Sequence, residues 1–282
     1  MPGENPFRTA RTRVIAVASG KGGVGKSSVT TNLSVALAQM GKDVAAIDAD
    51  VWGFSMPRML GVENGPELTD ENLMIPPSGH GVRLLSMGFF VPEDQAVIWR
   101  GPMLHKALEQ FLTDVAWGEP DYLVIDMPPG TGDVSLSMSQ FLPRAEVVIV
   151  TTPQPAAQAV AQRAAAMAEK VELDVIGVVE NMSYLACPHC PAEDDHRLEV
   201  FGSGGGARVA ATLSERFGYD VPVLGEVPLD IRLREGGDVG APIVIEQPDA
   251  PAAQALTAIA HELVSKGRGL AGMQLGLTPA GR

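Results

Sequence analysis

Cysteine is scarce in this sequence: the 282 residues contain two, Cys187 and Cys190. Two neighbouring cysteines cannot cross-link a chain of this length, which excludes a disulfide-rich secreted scaffold. The polar opening residues contain no apolar core of a secretory signal, and no run of about 18 apolar residues indicates a membrane span. We therefore expect a cytoplasmic protein.

Basic residues are also in deficit, since 21 Lys and Arg face 34 Asp and Glu, giving a formal net charge of −13. Proteins that bind nucleic acid broadly need a basic surface that displaces counterions from phosphates. Adhesion to anionic membranes likewise depends on clustered Lys and Arg. We expect neither nucleic acid nor a membrane among the partners.

Residues 20–27 carry the most informative pattern, Gly-Lys-Gly-Gly-Val-Gly-Lys-Ser. It matches G-x-x-x-x-G-K-[ST] and lies between a short apolar run and a segment with apolar residues at helical spacing. In such a loop backbone N–H groups cradle phosphates, Lys26 reaches the β- and γ-phosphates, and Ser27 ligates Mg²⁺. A glycine-rich turn with a chance lysine is the less favoured alternative. The pattern predicts that ATP with Mg²⁺ is bound by Gly20, Lys21, Gly22, Gly23, Val24, Gly25, Lys26, Ser27 and Ser28.

Short apolar runs alternate with helical patterns along the rest of the chain. Strands are predicted at residues 14–18, 43–49, 82–87, 121–127, 146–152 and 174–181, and an alanine-rich helix at 156–170. Runs this apolar are buried on both faces, which is typical of parallel sheets. We therefore predict an α/β fold of the P-loop NTPase type, with a mainly parallel twisted sheet and helices on both faces. One domain should span residues 14–264, between flexible tails at 1–13 and 265–282.

Polar residues stand at the carboxyl ends of the predicted strands, which is where parallel sheets bind ligands. Asp126 ends an apolar strand before a Pro-Pro-Gly turn. This is the Walker B arrangement that holds Mg²⁺, and a helix cap is the alternative. Asp48 is predicted to support Mg²⁺ or the loop, unless it occupies a surface turn. Asn181 is predicted to hydrogen-bond an adenine edge, or else to cap the end of its strand.

Lys21 adds a second lysine to the loop. It has little room to reach the phosphates of its own loop, so its stem is predicted to cross a dimer interface and stabilise the partner's leaving phosphate. Keeping the loop soluble is the alternative role. The loop resembles the deviant Walker A motif of dimeric ATPases that include the nitrogenase iron protein, the Min and Par positioning ATPases and Mrp-type cluster carriers. The resemblance implies that Lys21 acts across the dimer and that Asp50 orients the attacking water. With Lys26 and Asp126, these residues form the predicted catalytic set.

Cys187 and Cys190 form a single C-x-x-C. Iron–sulfur clusters and structural zinc usually take four protein ligands, so two chains about a two-fold axis would complete a bridging [4Fe-4S] site. Zinc is the second interpretation, held by four thiolates across a dimer or by both thiolates with His189 or His196. A thiol redox motif is the third, which the acidic residues that follow disfavour. The residues alone leave cluster and zinc open.

Segments between about residues 14 and 264 resemble the Mrp family of ATP-dependent iron–sulfur cluster carriers, also called ApbC- or Nbp-type ATPases. They are the phosphate loop, residues 48–53, Trp99-Arg100-Gly101-Pro102-Met103, residues 126–133, Glu180-Asn181-Met182-Ser183, the cysteine pair and residues 201–206. The resemblance implies a homodimer that binds a [4Fe-4S] cluster at its interface, hydrolyses ATP slowly and transfers the cluster to apoproteins. The sequence departs from the family around Gly53, where a tyrosine before the glycine and a proline after it are usual. Many members also carry an additional N-terminal domain, whereas a short tail precedes the first strand here.

Three other functions fit part of the pattern. A positioning ATPase needs a basic face or a basic amphipathic C-terminal helix, which residues 265–282 do not offer. A small-molecule enzyme on the same scaffold, such as a biotin-pathway ligase, has no evident use for the cysteine pair. A zinc-stapled regulatory ATP switch differs from a cluster carrier in the identity of its metal.

Overall fold

The structure is a computed structural model that describes residues 5–8, 11–50, 53–90, 101–129, 132–154, 173–187, 189–190 and 196–266, with residues 163, 166, 168 and 169. Parts of several predicted features lie outside the described residues. They are most of the helix at 156–170, most of the tail at 265–282, positions 51–52 and 130–131, and Trp99 and Arg100.

A single large sheet organises the described part of the chain. Its eight strands have the order β12-β9-β8-β1-β7-β2-β6-β5, and all neighbours are parallel except β5 and β6. The strands are β1 Arg13–Ala18, β2 Val44–Asp48, β3 Glu67–Leu68, β4 Met74–Ile75, β5 Ser78–Gly79, β6 Val82–Ser86, β7 Tyr122–Asp126, β8 Glu146–Thr151, β9 Asp174–Asn181, β10 Leu185–Ala186, β11 Arg197–Leu198 and β12 Val223–Val227. The remaining strands form two small antiparallel pairs, β3 with β4 and β10 with β11. The predicted, mainly parallel sheet is confirmed.

Helices cover both faces of this sheet, as expected from its apolar strands. They are α1 Lys26–Gln39, α2 Met56–Met59, α3 Gly101–Thr113, α4 Gly132–Phe141, α5 Gly205–Phe217, α6 Ile231–Val239, α7 Ile243–Glu246 and α8 Pro251–Ser265. One core lies between the sheet and α3, α4 and α5, and the other between the sheet and α1, α7 and α8. No helix of the described residues combines the length and apolar character needed to cross a membrane.

Successive side chains of β1 point alternately to the two faces of the sheet, so this strand contributes to both cores. Val14, Ala16 and Ala18 enter the core beneath α3 to α5, whereas Ile15 and Val17 enter the core beneath α1 and α8. Successive side chains of a strand point to opposite faces, so a strand with two buried faces must be apolar throughout. The same requirement holds for the central strands β2, β7 and β8, which are buried along their whole length.

Part of segment 1–13, for which we expected a flexible tail, packs on the domain. Residues Pro6–Arg8 form a 3₁₀ turn in which Phe7 is buried against the edge of Trp117, with ring centroids 6.4 Å apart. Asn5 Nδ2 donates a hydrogen bond to the carbonyl of Phe141 at 2.9 Å. The burial of Phe7 therefore holds this short segment on the domain. The sequence could not predict the contact, because a single aromatic residue gives no periodic pattern.

Arg13 joins the first strand to two distant parts of the chain. Its Nε lies 2.5 Å from Glu146 Oε2 at the start of β8, and its Nη1 donates to the carbonyl of Leu263 in α8. Both charged side chains are about nine-tenths buried. The pair therefore connects β1, β8 and α8 at the amino-terminal ends of the strands, opposite the end where the phosphate loop lies.

Candidate functional site

The phosphate loop lies between β1 and α1, at the carboxyl end of the sheet. Gly23 and Gly25 have φ angles of +77° and +74°, in the left-handed region that favours glycine. Gly25 caps α1, whose first residue is Lys26. At Gly22 and Gly23 an added Cβ would meet no atom of the described residues within 4 Å, so the described part of the chain leaves the loop open on that side. A backbone cradle of this shape fits phosphate oxygens.

Lys26 lies among carboxylates at the base of the loop. Its Nζ is 2.7 Å from Asp126 Oδ1 and 3.8 Å from Asp50 Oδ2, and its side chain is 6% exposed. Among the described residues this buried ammonium has no hydrogen-bond partner of good geometry. The carboxylates hold the ammonium beside the open loop, a position that fits a lysine which turns to a phosphate when ATP binds.

Asp126 also accepts two hydroxyl hydrogen bonds from α1. Ser27 Oγ donates to its Oδ2 at 2.5 Å, and Thr30 Oγ1 donates to its Oδ1 at 2.8 Å. Serine hydroxyl and carboxylate oxygens are ligands that Mg²⁺ accepts, and here they are adjacent. These residues fit the predicted Mg²⁺ site, and Thr30 is a member that the sequence reasoning missed.

Asp48 is paired with Asp126 in the register of β2 and β7, and it is fully buried. One of its oxygens accepts from the backbone N–H of Asp50, and the other accepts from Met56 N and Ser86 Oγ. Burial, followed by the neighbouring Asp126 carboxylate, raises the pKa of Asp48. The surface-turn alternative is therefore wrong, because Asp48 anchors the chain that leaves β2 from within the core.

Asn181 connects the end of β9 to the phosphate loop. Its Nδ2 donates to the carbonyl of Val24 at 2.8 Å, while its buried Oδ1 has no hydrogen-bond partner among the described residues. Beyond it the chain is fixed to the end of β12, since Ser183 N donates to Val227 O and Leu229 N to Tyr184 O. Asn181 therefore contacts the predicted nucleotide loop directly, and its contact with adenine stays a prediction.

Lys21 is directed to the strand beside its own. Its Nζ donates to Gln154 Oε1 at 2.5 Å, just beyond the end of β8. Arg163 donates to the carbonyl of Gly20 at 3.1 Å and so supports the same corner of the loop. Within the single chain, Lys21 is thus held by a neutral amide, whereas Lys26 lies among the carboxylates.

The cysteine pair lies on a small hairpin that follows β9. Cys187 and Cys190 are free thiols with partial exposure. The backbone N–H of His189 and then the Cys190 thiol, as the largest causes, lower the pKa of Cys187 to about 7. The hydrogen bond with the Cys187 sulfur raises the pKa of Cys190. The ligand atoms of the two cysteines and of His196, which directly precedes β11, lie within 4.8 Å of one another. The hairpin can therefore present thiolate sulfur to a metal.

The model of a ParA family, described as the NUBPL iron-transfer P-loop NTPase, matches residues 10–264 of the chain. The chain belongs to this family. The iron–sulfur cluster carrier protein of Mycobacterium leprae is 51% identical over 96% of this NUBPL-family chain and 69% of its own length. The mouse iron–sulfur cluster transfer protein NUBPL is 45% identical, covering 94% of this chain and 81% of its own. The predicted resemblance to cluster-carrier ATPases is confirmed.

A solved structure supports the same assignment. The nucleotide-binding protein from Archaeoglobus fulgidus, in complex with ADP and with Co found by PIXE, superposes with a TM-score of 0.67. It is 38% identical and covers 81% of the NUBPL-family chain and 86% of its own. The P-loop NTPase fold and nucleotide binding by this family agree with the loop geometry described above.

In the NUBPL-family chain, Gly25→Ala is expected to raise the Kd for ATP at least about tenfold, because the left-handed φ costs about 1–2 kcal/mol for a residue with a Cβ. The added Cβ would also lie 2.3 Å from Asn181 Nδ2. Isothermal titration calorimetry with Mg²⁺ and ATP measures the effect.

Gly41→Ala is the matched control. Gly41 has φ +76°, and its Cβ position meets none of the described residues within 4 Å, so this variant carries the strain without the collision. It should lose some stability and keep the wild-type Kd. Equal Kd values for Gly25→Ala and Gly41→Ala would contradict the role assigned to Gly25.

Proposed function

We propose that the chain is an ATP-dependent iron–sulfur cluster carrier whose homodimer binds one [4Fe-4S] cluster and transfers it to apoproteins. The pair of partly exposed cysteines on the hairpin is the observation that carries the proposal. Each protomer offers two thiolates from a C-x-x-C, and a two-fold axis beside the hairpin gives four. The names of the relatives from M. leprae and mouse support the same cargo.

The nucleotide site supplies slow ATP hydrolysis in this proposal. Bound Mg²⁺ would neutralise charge on the β- and γ-phosphates. Ser27 and Asp126 hold the metal, Asp48 supports this end of the sheet, and Lys26 contacts the terminal phosphate. Asp50, 3.8 Å from Lys26 Nζ, orients the attacking water. Phosphoryl transfer depends mainly on positioning and charge, which these buried side chains provide.

Lys21 completes the site from the other protomer. In a dimer its ammonium leaves Gln154 and contacts the partner's terminal phosphate, where positive charge stabilises the leaving group. ATP hydrolysis then requires the same dimer that completes the cluster site. Recipient apoproteins meet the cargo at the exposed hairpin, in a cytoplasm that keeps the two free thiols reduced.

Reconstitution with iron and sulfide in the absence of oxygen, followed by native mass spectrometry, tests the cargo. The expected species is a dimer with one four-iron, four-sulfide unit, because four thiolates meet at one axis. Cys187→Ser and Cys190→Ser should each abolish loading, while His189→Ala, in the same turn, should load as the wild type does.

Two results would contradict the proposal. One is a monomer or dimer that takes up no cluster, and the other is full loading in both serine variants. In the first case the chain would be an ATP switch whose cysteine pair has a structural or redox role, and in the second the cluster ligands would lie elsewhere in the chain. Transfer is then checked with an apo-ferredoxin acceptor, in the presence of ATP, of ADP and without nucleotide.

A further inference from the structure

The hairpin places a histidine directly opposite the first cysteine. β10 and β11 pair Leu185 with Leu198 and Ala186 with Arg197. The next pair in this register is Cys187 and His196, and Cys187 N donates to His196 O at 3.0 Å. Directly opposite residues of an antiparallel pair project their side chains to the same face. His196 is therefore positioned beside Cys187 by backbone pairing and not by a loose loop.

The second cysteine returns to the same point. Cys190 Sγ lies 3.1 Å from His196 Nδ1, and the ligand atoms of Cys187, Cys190 and His196 are all within 4.8 Å of one another. Around a tetrahedral cation with metal–sulfur distances of about 2.3 Å and metal–nitrogen distances of about 2.0 Å, ligand atoms lie roughly 3.5 to 3.8 Å apart. Small side-chain rotations bring the three donors to that spacing.

The base of the hairpin is held by a further contact. The guanidinium carbon of Arg197 lies 4.2 Å from the centroid of the Tyr184 ring, one residue before β10. This cation–π contact joins the two ends of the hairpin across its base. The three donor side chains thus sit on a framework fixed by backbone hydrogen bonds and a stacked pair, which is what a preorganised metal site requires.

We propose that each protomer by itself binds one borderline divalent cation, of the class of Zn²⁺, Fe²⁺ or Co²⁺, through Cys187, Cys190 and His196. Two thiolates and an imidazole suit such cations. Three protein ligands leave the fourth position open to water or another ligand, which distinguishes this site from closed structural sites with four protein ligands. The site needs neither a second protomer nor sulfide, so it goes beyond the proposed carrier function. The cation site and the proposed bridging cluster use the same two thiolates. A cation bound by one protomer therefore excludes the cluster until the cation dissociates.

Cobalt titration of the reduced, metal-free protein without oxygen tests this site. Co²⁺ bound by thiolates in a tetrahedral field gives intense visible absorption and a sulfur-to-metal charge-transfer band, so affinity and ligand set are read together. The wild type should bind one Co²⁺ per protomer. His196→Ala should lower the affinity at least about a hundredfold, since even outer-shell partners of metal ligands contribute 10- to 100-fold. His189→Ala, the matched control on the same turn, should titrate as the wild type does.

Two outcomes would overturn the proposal. His196→Ala with wild-type affinity and spectrum would remove the histidine from the site, and one Co²⁺ per two protomers would indicate four thiolates across a dimer. ATP affinity checks that His196→Ala remains folded. Cluster loading of the same variants separates the two proposals. His196→Ala that loses cobalt but accepts the cluster supports the cation site, while failure of the wild type to take up a cluster contradicts the carrier function alone.

Discussion

Replacing Lys21 by alanine is expected to lower ATP turnover by roughly a thousandfold, the lower end of the effect of a cation supplied across an interface in phosphoryl transfer. ATP affinity should change little, because Lys21 Nζ contacts Gln154 and not the carboxylates around Lys26. Asp50→Ala should likewise lower turnover and preserve binding. Steady-state phosphate release and calorimetric ATP binding measure the two quantities separately. Wild-type turnover in both variants would contradict the assigned roles.

Mixed dimers distinguish action across the interface from action within one protomer. When Lys21→Ala and Asp50→Ala protomers are combined, the site that keeps Asp50 receives Lys21 from its partner. Equal mixing should therefore restore roughly a quarter of wild-type turnover, since half of the dimers are mixed and each has one complete site. If Lys21 served its own nucleotide, no site would be complete and the mixture would stay inactive. Each variant alone provides the baseline.

Glu146→Ala is expected to destabilise the fold by about 3–5 kcal/mol, the usual effect of removing one partner of a buried ion pair. The change leaves the Arg13 guanidinium buried with the Leu263 carbonyl as its remaining acceptor of those described above. Methionine at both positions would remove both charges and should restore part of the loss. Urea unfolding followed by circular dichroism, with linear extrapolation, gives the free energy of unfolding.

Glu169→Ala is the matched control for this prediction. Glu169 accepts two hydrogen bonds from Arg216 at 2.5 Å, so its pair has better geometry than that of Glu146, but it is exposed to solvent. Exposed ion pairs gain little over hydration. We expect Glu169→Ala to unfold near the wild-type urea midpoint. Equal losses in the two variants would indicate that burial of the Arg13 pair is not the source of its effect.

Strands buried on both faces could be predicted from the sequence, because burial of both faces demands an uninterrupted apolar run. All six predicted strands agree with observed ones to within one residue at each end. β12 was missed because it is an edge strand whose exposed and half-exposed residues interrupt the apolar pattern. α8 packs so closely against Gly225 of this strand that a Cβ added to the glycine would lie 2.6 Å from Ile259 Cγ1. That requirement exists only after the helix has packed.

The grouping of residues at the candidate nucleotide site could be predicted where their spacing along the chain determines their position in space. The loop, Asp50 and Asp126 lie together because parallel strands end at one edge of the sheet. Thr30 could have been found, since it lies one helical turn beyond Lys26. Ser86 could not, because its contact with Asp48 depends on the pairing of β6 with β2. His196 was one of two histidine candidates beside the cysteines, and only the hairpin register favours it over His189.

The segment that follows β9 connects the candidate nucleotide site to the cysteine pair, so the affinities of the two sites for their ligands are linked. Asn181 holds the nucleotide loop, Ser183 and Tyr184 are fixed to the end of β12, and Cys187 follows three residues later on the same backbone. One short backbone segment therefore joins the loop to the thiols, and we expect a shift of the loop on nucleotide binding to displace the hairpin. Coupling between two binding sites is reciprocal. If the nucleotide changes the affinity of the cysteine pair for its metal or cluster by some factor, the bound metal or cluster must change the affinity for the nucleotide by the same factor.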